Sequence, residues 1–122
     1  MQNIDKRLDE TWSKLVKLKA GNKCEVCGKR SALNSHHIFS RANRATRWDT
    51  NNGISLCVGH HIGNKFSAHK TSLPFSDWLQ KERGENWYNL LLAKSRIMYK
   101  WHKFEKELLL KELQKEIKSL ET

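Results

Sequence analysis

Two ligand pairs of identical spacing, Cys24-x-x-Cys27 and Cys57-x-x-His60, constrain this chain more than any other feature. Each pair brings two donors onto one turn, and four sulfur and nitrogen donors are what a tetrahedral zinc ion takes. Any fold that uses them must carry Cys57 back beside Cys24. A Cys3His set leaves no position for water, so the spacing predicts a structural zinc rather than a reactive one. Three cysteines leave one over in any disulfide scheme, and CxxC followed by CxxH reads as metal binding. His61 is the second candidate for the fourth ligand. His60 is preferred because CxxH repeats the spacing of CxxC, which leaves His61 for other work.

A chain of 122 residues, 38% of them hydrophobic, supports one domain with a modest core that a metal would staple. The expected organisation is a single domain over 1–122 in three parts: an N-terminal helix (1–22), a zinc-framed core (23–74) and C-terminal helices (75–122). Ile4, Leu8, Trp12, Leu15 and Leu18 recur at helical spacing, and Gly21 or Asn22 suits a left-handed cap after them. Gly28 lets the chain turn at the CEVC knuckle so that backbone amides point at the thiolates. A first strand is expected over Ser31 to Ile38, directing His36 and His37 to opposite faces. A polar, arginine-rich loop (39–51) leads to a second strand at Gly53 to Leu56, and His60 is expected to open a helix.

Ser72-Leu73-Pro74 reads as a break, Phe75 to Arg83 as a short helix stopped by Gly84, and 86–121 as strongly helical. Trp87, Leu90, Leu91, Ile97, Trp101, Phe104 and Leu108 would line its inner face. Leu110, Leu113, Ile117 and Leu120 form a short seam. That seam packs either on the N-terminal helix or on another chain, such as a second copy or a partner protein. The fold class is therefore α+β.

The formal charge is +10 and is concentrated. Residues 23–74 carry eight basic and two acidic side chains, net +6, against net +2 in each flank. A polyanion near the motif-bearing segment is the simplest physical reading. Arg41, Arg44 and Arg47 recur every third residue, so a helical turn would set them on one side to grip phosphates; solvated loop arginines are the alternative. Lys65 and Lys70 could add backbone contacts. No apolar run approaches the roughly 18 residues of a membrane span, and MQNIDKRLDE has no apolar leader segment, which gives the cytoplasm as the expected compartment.

A second constellation is interleaved with the zinc pairs: His36-His37, Asn52 and His61. The stretches CEVC, SHHIFS, NNGISLC and VGHH, spread from Cys24 to about Lys70, resemble the HNH endonucleases and their ββα-metal core. HHIFSRANRATRWD is also similar to small HNH proteins encoded by bacteriophages, which would place the protein in the host cytoplasm. The resemblance implies that His37 is the general base, and that His36 and His61 hold a catalytic divalent metal (Mg²⁺, Mn²⁺ or Ni²⁺). It implies that Asn52, 15 residues after His37 and nine before His61, holds the loop and the base in place. The implied reaction is one-metal hydrolysis of DNA, most naturally double-stranded, nicked or cut, leaving 5′-phosphate and 3′-hydroxyl ends.

The pattern departs from the family at one position. Family members often carry a third ligand four residues after the last motif histidine, where this chain has Lys65. His69, eight residues after His61, substitutes as ligand or helper if a continuing helix turns it inward; otherwise it is a surface or phosphate-contacting histidine. The competing reading of the whole chain is a non-catalytic zinc module that binds nucleic acid or docks a partner. It explains the zinc ligands and the charge but not the histidine and asparagine spacing.

Overall fold

A computed structural model describes residues 3–63 and 66–122. Helix α1 (Ile4–Lys19) is capped by Asn3, whose side chain accepts the Lys6 amide. Its apolar stripe, Leu8, Trp12, Leu15 and Val16, is buried. The chain leaves the helix through two left-handed residues, Gly21 (φ 74°) and Asn22 (φ 54°). The amide of Asn22 bonds back to the Lys17 carbonyl, which satisfies an end of the helix.

Strands β1 (Leu33–His37) and β2 (Gly53–Cys57) form a two-stranded antiparallel sheet. Its register pairs Leu33 with Cys57, His36 with Ile54, and His37 with Gly53. The molecule is thus of mixed α+β class. The hairpin separates two hydrophobic clusters. One joins α1, Trp48 and the last helix through Leu8, Trp12, Leu15, Val16, Leu110, Leu113 and Ile117. The other gathers Cys24, Ile54, Leu56, Cys57, Phe75 and Leu79 behind the knuckle. Gly53 is where the hairpin meets α1. A Cβ there would collide with Val16 and would lie 2.8 Å from the Trp12 ring, so only glycine allows this approach.

After β2 the structure differs from the sequence reading. No α-helix starts at His60: the chain makes one wide π-helical turn, Gly59–Gly63. It then folds back, so that Ala68 and His69 donate their amides to the carbonyls of His60 and His61 (2.9 and 3.1 Å). Ser72-Leu73-Pro74 does not break the chain but opens α2 (Ser72–Arg83). Pro74 sits in the first turn, where no amide is needed for a helical bond. Gly84 (φ 92°) ends α2 as expected.

The expected long C-terminal helix is two helices, α3 (Glu85–Ser95) and α4 (Lys103–Glu121). Arg96 and Ile97 tighten the end of α3 with short-range bonds, and α4 restarts where Glu105 accepts the His102 amide (3.0 Å). The interruption rotates the apolar positions. Leu91 is buried, whereas Leu90, Ile97, Phe104 and Leu108 are exposed rather than lining an inner face. Leu110, Leu113 and Ile117 pack on α1, and Leu120 stays half-exposed. Ion pairs Asp5–Lys106 near the helix starts and Lys14–Glu121 near the ends show that α1 and α4 run in the same direction. Among the described residues, no helix is long and apolar enough to cross a membrane.

Candidate functional site

The knuckle is pinned to β2 before any metal is considered. Glu25 exchanges backbone and side-chain bonds with Ser55, and its other carboxylate oxygen accepts from Arg83 at 3.0 Å. Gly28 adopts φ 78°, closing the turn. These contacts bring Cys24, Cys27, Cys57 and His60 together, with all four ligand atoms within 4.8 Å of one another. Cys27 and Cys57 sulfurs are 3.8 Å apart, and His60 Nδ1 lies 3.3 Å from Cys57 Sγ and 3.8 Å from Cys24 Sγ. Ligands bound tetrahedrally at ordinary zinc distances would be separated by about 3.6 to 3.8 Å. The four residues therefore fit a structural zinc site.

The electrostatics agree. Burial raises the Cys24 thiol, but amides of Cys57, Cys27 and Val26 aimed at the sulfur outweigh it and hold it below its ordinary value. For Cys27 the balance is opposite. The Lys29 amide lowers it, but burial and the crowding of Cys24 and Cys57 push it up. Three sulfurs in mutual repulsion are relieved by a divalent cation.

A second cluster lies beside the first. His36 from β1, His61 from the π-helical turn and His69 from the returning segment place one ring nitrogen each within 4.8 Å of the others. His61 Nε2 and His69 Nε2 are 3.0 Å apart, which matches two nitrogens bound at right angles about 2.1 Å from a shared ion. Ring centroids of His36 lie 5.1 and 5.2 Å from those of His61 and His69. Burial, then the neighbouring imidazoles, push His36 down to about 4, and burial and His69 lower His61. Neutral imidazoles that face one another are disposed to share a cation. His69 arrives here on the returning loop, not on the continuing helix that the sequence suggested.

His37 takes the other face of β1. Its ring stacks on Trp12 with centroids 3.8 Å apart and planes 7° from parallel. Its Nε2 lies 2.8 Å from the Arg47 carbonyl. A carbonyl only accepts, so Nε2 carries the proton and Nδ1 is the basic nitrogen. Burial is the main reason that the His37 pKa lies below its ordinary value. The Arg47 carbonyl and Asp9 oppose the shift, while Arg41 and Arg47 add to it.

Asn52 is fully buried. Its Oδ1 accepts the Phe39 amide (2.7 Å), and its Nδ2 donates to the carbonyls of Phe39 and Thr46 (both 3.1 Å). It ties Phe39, at the start of the loop, to Thr46, the residue before Arg47.

The three arginines do not share a helical turn, because residues 41–48 form successive non-helical turns. Arg47 is committed to Asp9 by two bonds of 3.0 and 2.7 Å, so its guanidinium braces the loop instead of facing outward. Arg41 reaches the same carboxylate at 3.2 Å but is 66% exposed. Arg44 is exposed, and so is Lys70, which donates to the Gly63 carbonyl. Lys65 lies outside the described residues.

Sequence reasoning missed Asp9 as a site residue and placed Trp12 only in the apolar stripe of the first helix. Asp9 also accepts from Trp48 Nε1 at 2.8 Å, and Trp12 Nε1 donates to the Asp49 carbonyl at 2.8 Å. Burial would raise the Asp9 carboxyl, but the bonds from Arg47 and Trp48 and the charges of Arg47 and Arg41 hold it below its ordinary range. No sequence signal marks this lock, which joins residues 38 positions apart. In comparisons with known proteins, no family model, no curated protein and no solved structure matches this chain.

Proposed function

We propose that this protein is a divalent-metal-dependent endonuclease of HNH type that hydrolyses phosphodiester bonds of double-stranded DNA. The observation that carries the reading is the pair His36-His37. One ring joins a cluster of three imidazoles, and its neighbour is a neutral base whose second nitrogen is fixed by a carbonyl. In this reading Cys24, Cys27, Cys57 and His60 hold a structural zinc. His36 and His61, with His69 as third ligand, hold the catalytic ion.

A bound divalent cation would supply charge stabilisation at the scissile phosphate. His37 Nδ1 takes a proton from the attacking water as the new P–O bond forms. The bond to the 3′ oxygen breaks, and that oxygen leaves as a hydroxyl once protonated from solvent. A neutral imidazole held against protonation by burial is ready for this at physiological pH. In this reading Asn52, Asp9 and Trp12 fix the base, and the exposed side chains of Arg41, Arg44 and Lys70 would meet phosphates.

The test uses zinc-loaded protein stripped of loosely bound metal, supercoiled plasmid, and titrations of Mg²⁺, Mn²⁺ and Ni²⁺, with His37→Ala alongside. Nicked or linear product that needs both added metal and His37 is the expected result. A folded, DNA-binding protein that cleaves with none of the three metals would favour the zinc-dependent binding module, which the net +6 of residues 23–74 also accommodates.

A further inference from the structure

The segment between α3 and α4, residues 96–102, is irregular yet firmly held. Asn43 Nδ2 donates to the Ser95 carbonyl at 2.7 Å, and Trp101 Nε1 donates to the Arg44 carbonyl at 2.9 Å. Both anchors lie on the loop whose Arg47 carbonyl orients His37. Arg44 and Arg47 are three residues apart, so the linker is fastened within about 11 Å of the attachment point of the base.

Between the linker and the loop lies an open depression of about 640 Å³ whose charged lining residues are Arg44, Arg96 and Lys100. No carboxylate lines it. The nearby Glu105 spends both oxygens on the His102 amide and the Tyr99 hydroxyl. Ile97 and Met98 stand at its rim, 57% and 99% exposed. Two neighbouring apolar side chains held out in water on an anchored segment, beside cations with no matching acids, have the composition of a groove-binding wedge.

We propose that the α3–α4 linker is a DNA-contacting element. Arg44, Arg96 and Lys100 bind phosphates, and Ile97 and Met98 press against the sugars and base steps of the minor groove. The inference rests on the reading of DNA as substrate and extends it. It gives the C-terminal helices, which the sequence alone assigns to packing on the N-terminal helix or on another chain, a part in holding the duplex beside His37. Cations and apolar groups make separable contributions, because phosphate contacts release counterions and apolar contacts do not.

The experiment measures binding of a short fluorescent duplex by zinc-loaded His37→Ala protein, without added divalent metal, across a salt series. Two further sets of changes are made in that background: Arg44→Gln with Arg96→Gln and Lys100→Gln, and Ile97→Ser with Met98→Ser. The triple change should flatten the slope of log affinity against log salt by about 2 to 3. The double change should weaken binding roughly tenfold or more with its slope unchanged. All five side chains are exposed or at the surface, so melting temperatures should match the parent and report folding independently.

Equal binding by parent and both variants overturns the proposal, as does a parent that binds no duplex. A double variant that changes from dimer to monomer in sedimentation assigns the surface to a second copy and also overturns it. Binding that depends on these residues in a protein that never cleaves plasmid leaves the proposal standing and removes only the nuclease reading.

Discussion

The two ligand clusters sit on neighbouring residues of one turn and are built to opposite ends. The Cys3His set draws on a knuckle pinned to β2, with Cys24 and Cys57 buried, and its four donors close a tetrahedron. The histidine set has three donors, one of them exposed, and draws His69 from a returning loop. Four donors on braced backbone suit holding a fold together. Three imidazole donors with an open side suit exchange of ligands. His60 and His61 are adjacent yet serve different clusters, because the wide turn at Gly59–Gly63 splays them. The lesson is that the histidine set borrows its geometry from the cysteine set.

If that dependence is one-way, breaking the frame should destroy both clusters. Structural zinc contributes on the order of 10 kcal/mol in small domains, comparable to the whole stability of a typical domain. Cys24→Ser, or a strong chelator, should therefore abolish the cooperative thermal transition seen by circular dichroism and the one-zinc stoichiometry. A variant that melts like the parent without zinc would sink the structural role.

The reactive set should break without harming the frame. His37→Ala should lower single-turnover cleavage by about 10² to 10⁴, the usual worth of a general base, with zinc content and the cooperative thermal transition retained and the melting temperature lowered only by the lost Trp12 stacking and Arg47 carbonyl bond. His69→Ala should weaken Mn²⁺ binding by calorimetry about tenfold or more while zinc content stays the same. Unaltered Mn²⁺ affinity would return His69 to the surface role.

Smaller effects probe the lock behind the base. Asp9→Ala leaves the Arg47 guanidinium and the Trp48 indole without their acceptor, for a loss of about 1–3 kcal/mol in denaturant unfolding. Cleavage should fall with kcat rather than KM, because the Arg47 carbonyl loses its brace. An intact kcat would show that the carbonyl needs no such support.

The smallest effect is in pH. In zinc-loaded protein without catalytic metal, His36, His37 and His61 are all held below 6.5, and His36 is pushed to about 4. The unfolded chain takes up these protons below its ordinary value and the folded chain does not. Stability should thus fall as pH drops from about 6.5 toward about 5, still above the His36 value. Replacing His36 by Gln should make that slope shallower, and an identical slope would argue that the cluster does not titrate as described.

Much of this was visible in the chain because short-range chemistry fixed it. The x2 pairs, the stripe Leu8-Trp12-Leu15 and the strand expected at Gly53 to Leu56, which runs one residue further to Cys57, each depend on residues close in sequence. The adjacency of His36 and His37 on a strand was enough to send them to opposite faces. What escaped depends on tertiary contact. A helical pattern alone did not reveal the interruption at 96–102, because Trp101 and Asn43 fasten that segment to a loop more than fifty residues away. The spacing of the arginines was misleading for the same reason: Asp9, on a different element, claims Arg47. His69 was ambiguous because its position depends on the pairing of its amide with the His61 carbonyl rather than on helical periodicity.

Gly53 sets a tolerance for the whole arrangement. It lies opposite His37, on the face where Trp12 stacks, and the missing methyl is what lets α1 come that near. One added carbon would act as a shim under the hairpin, lifting the strand from the helix and opening the gap between Trp12 and the His37 ring. The alignment of the two histidines is thereby calibrated from beneath, by an atom that is absent, at a residue that belongs to neither ligand cluster.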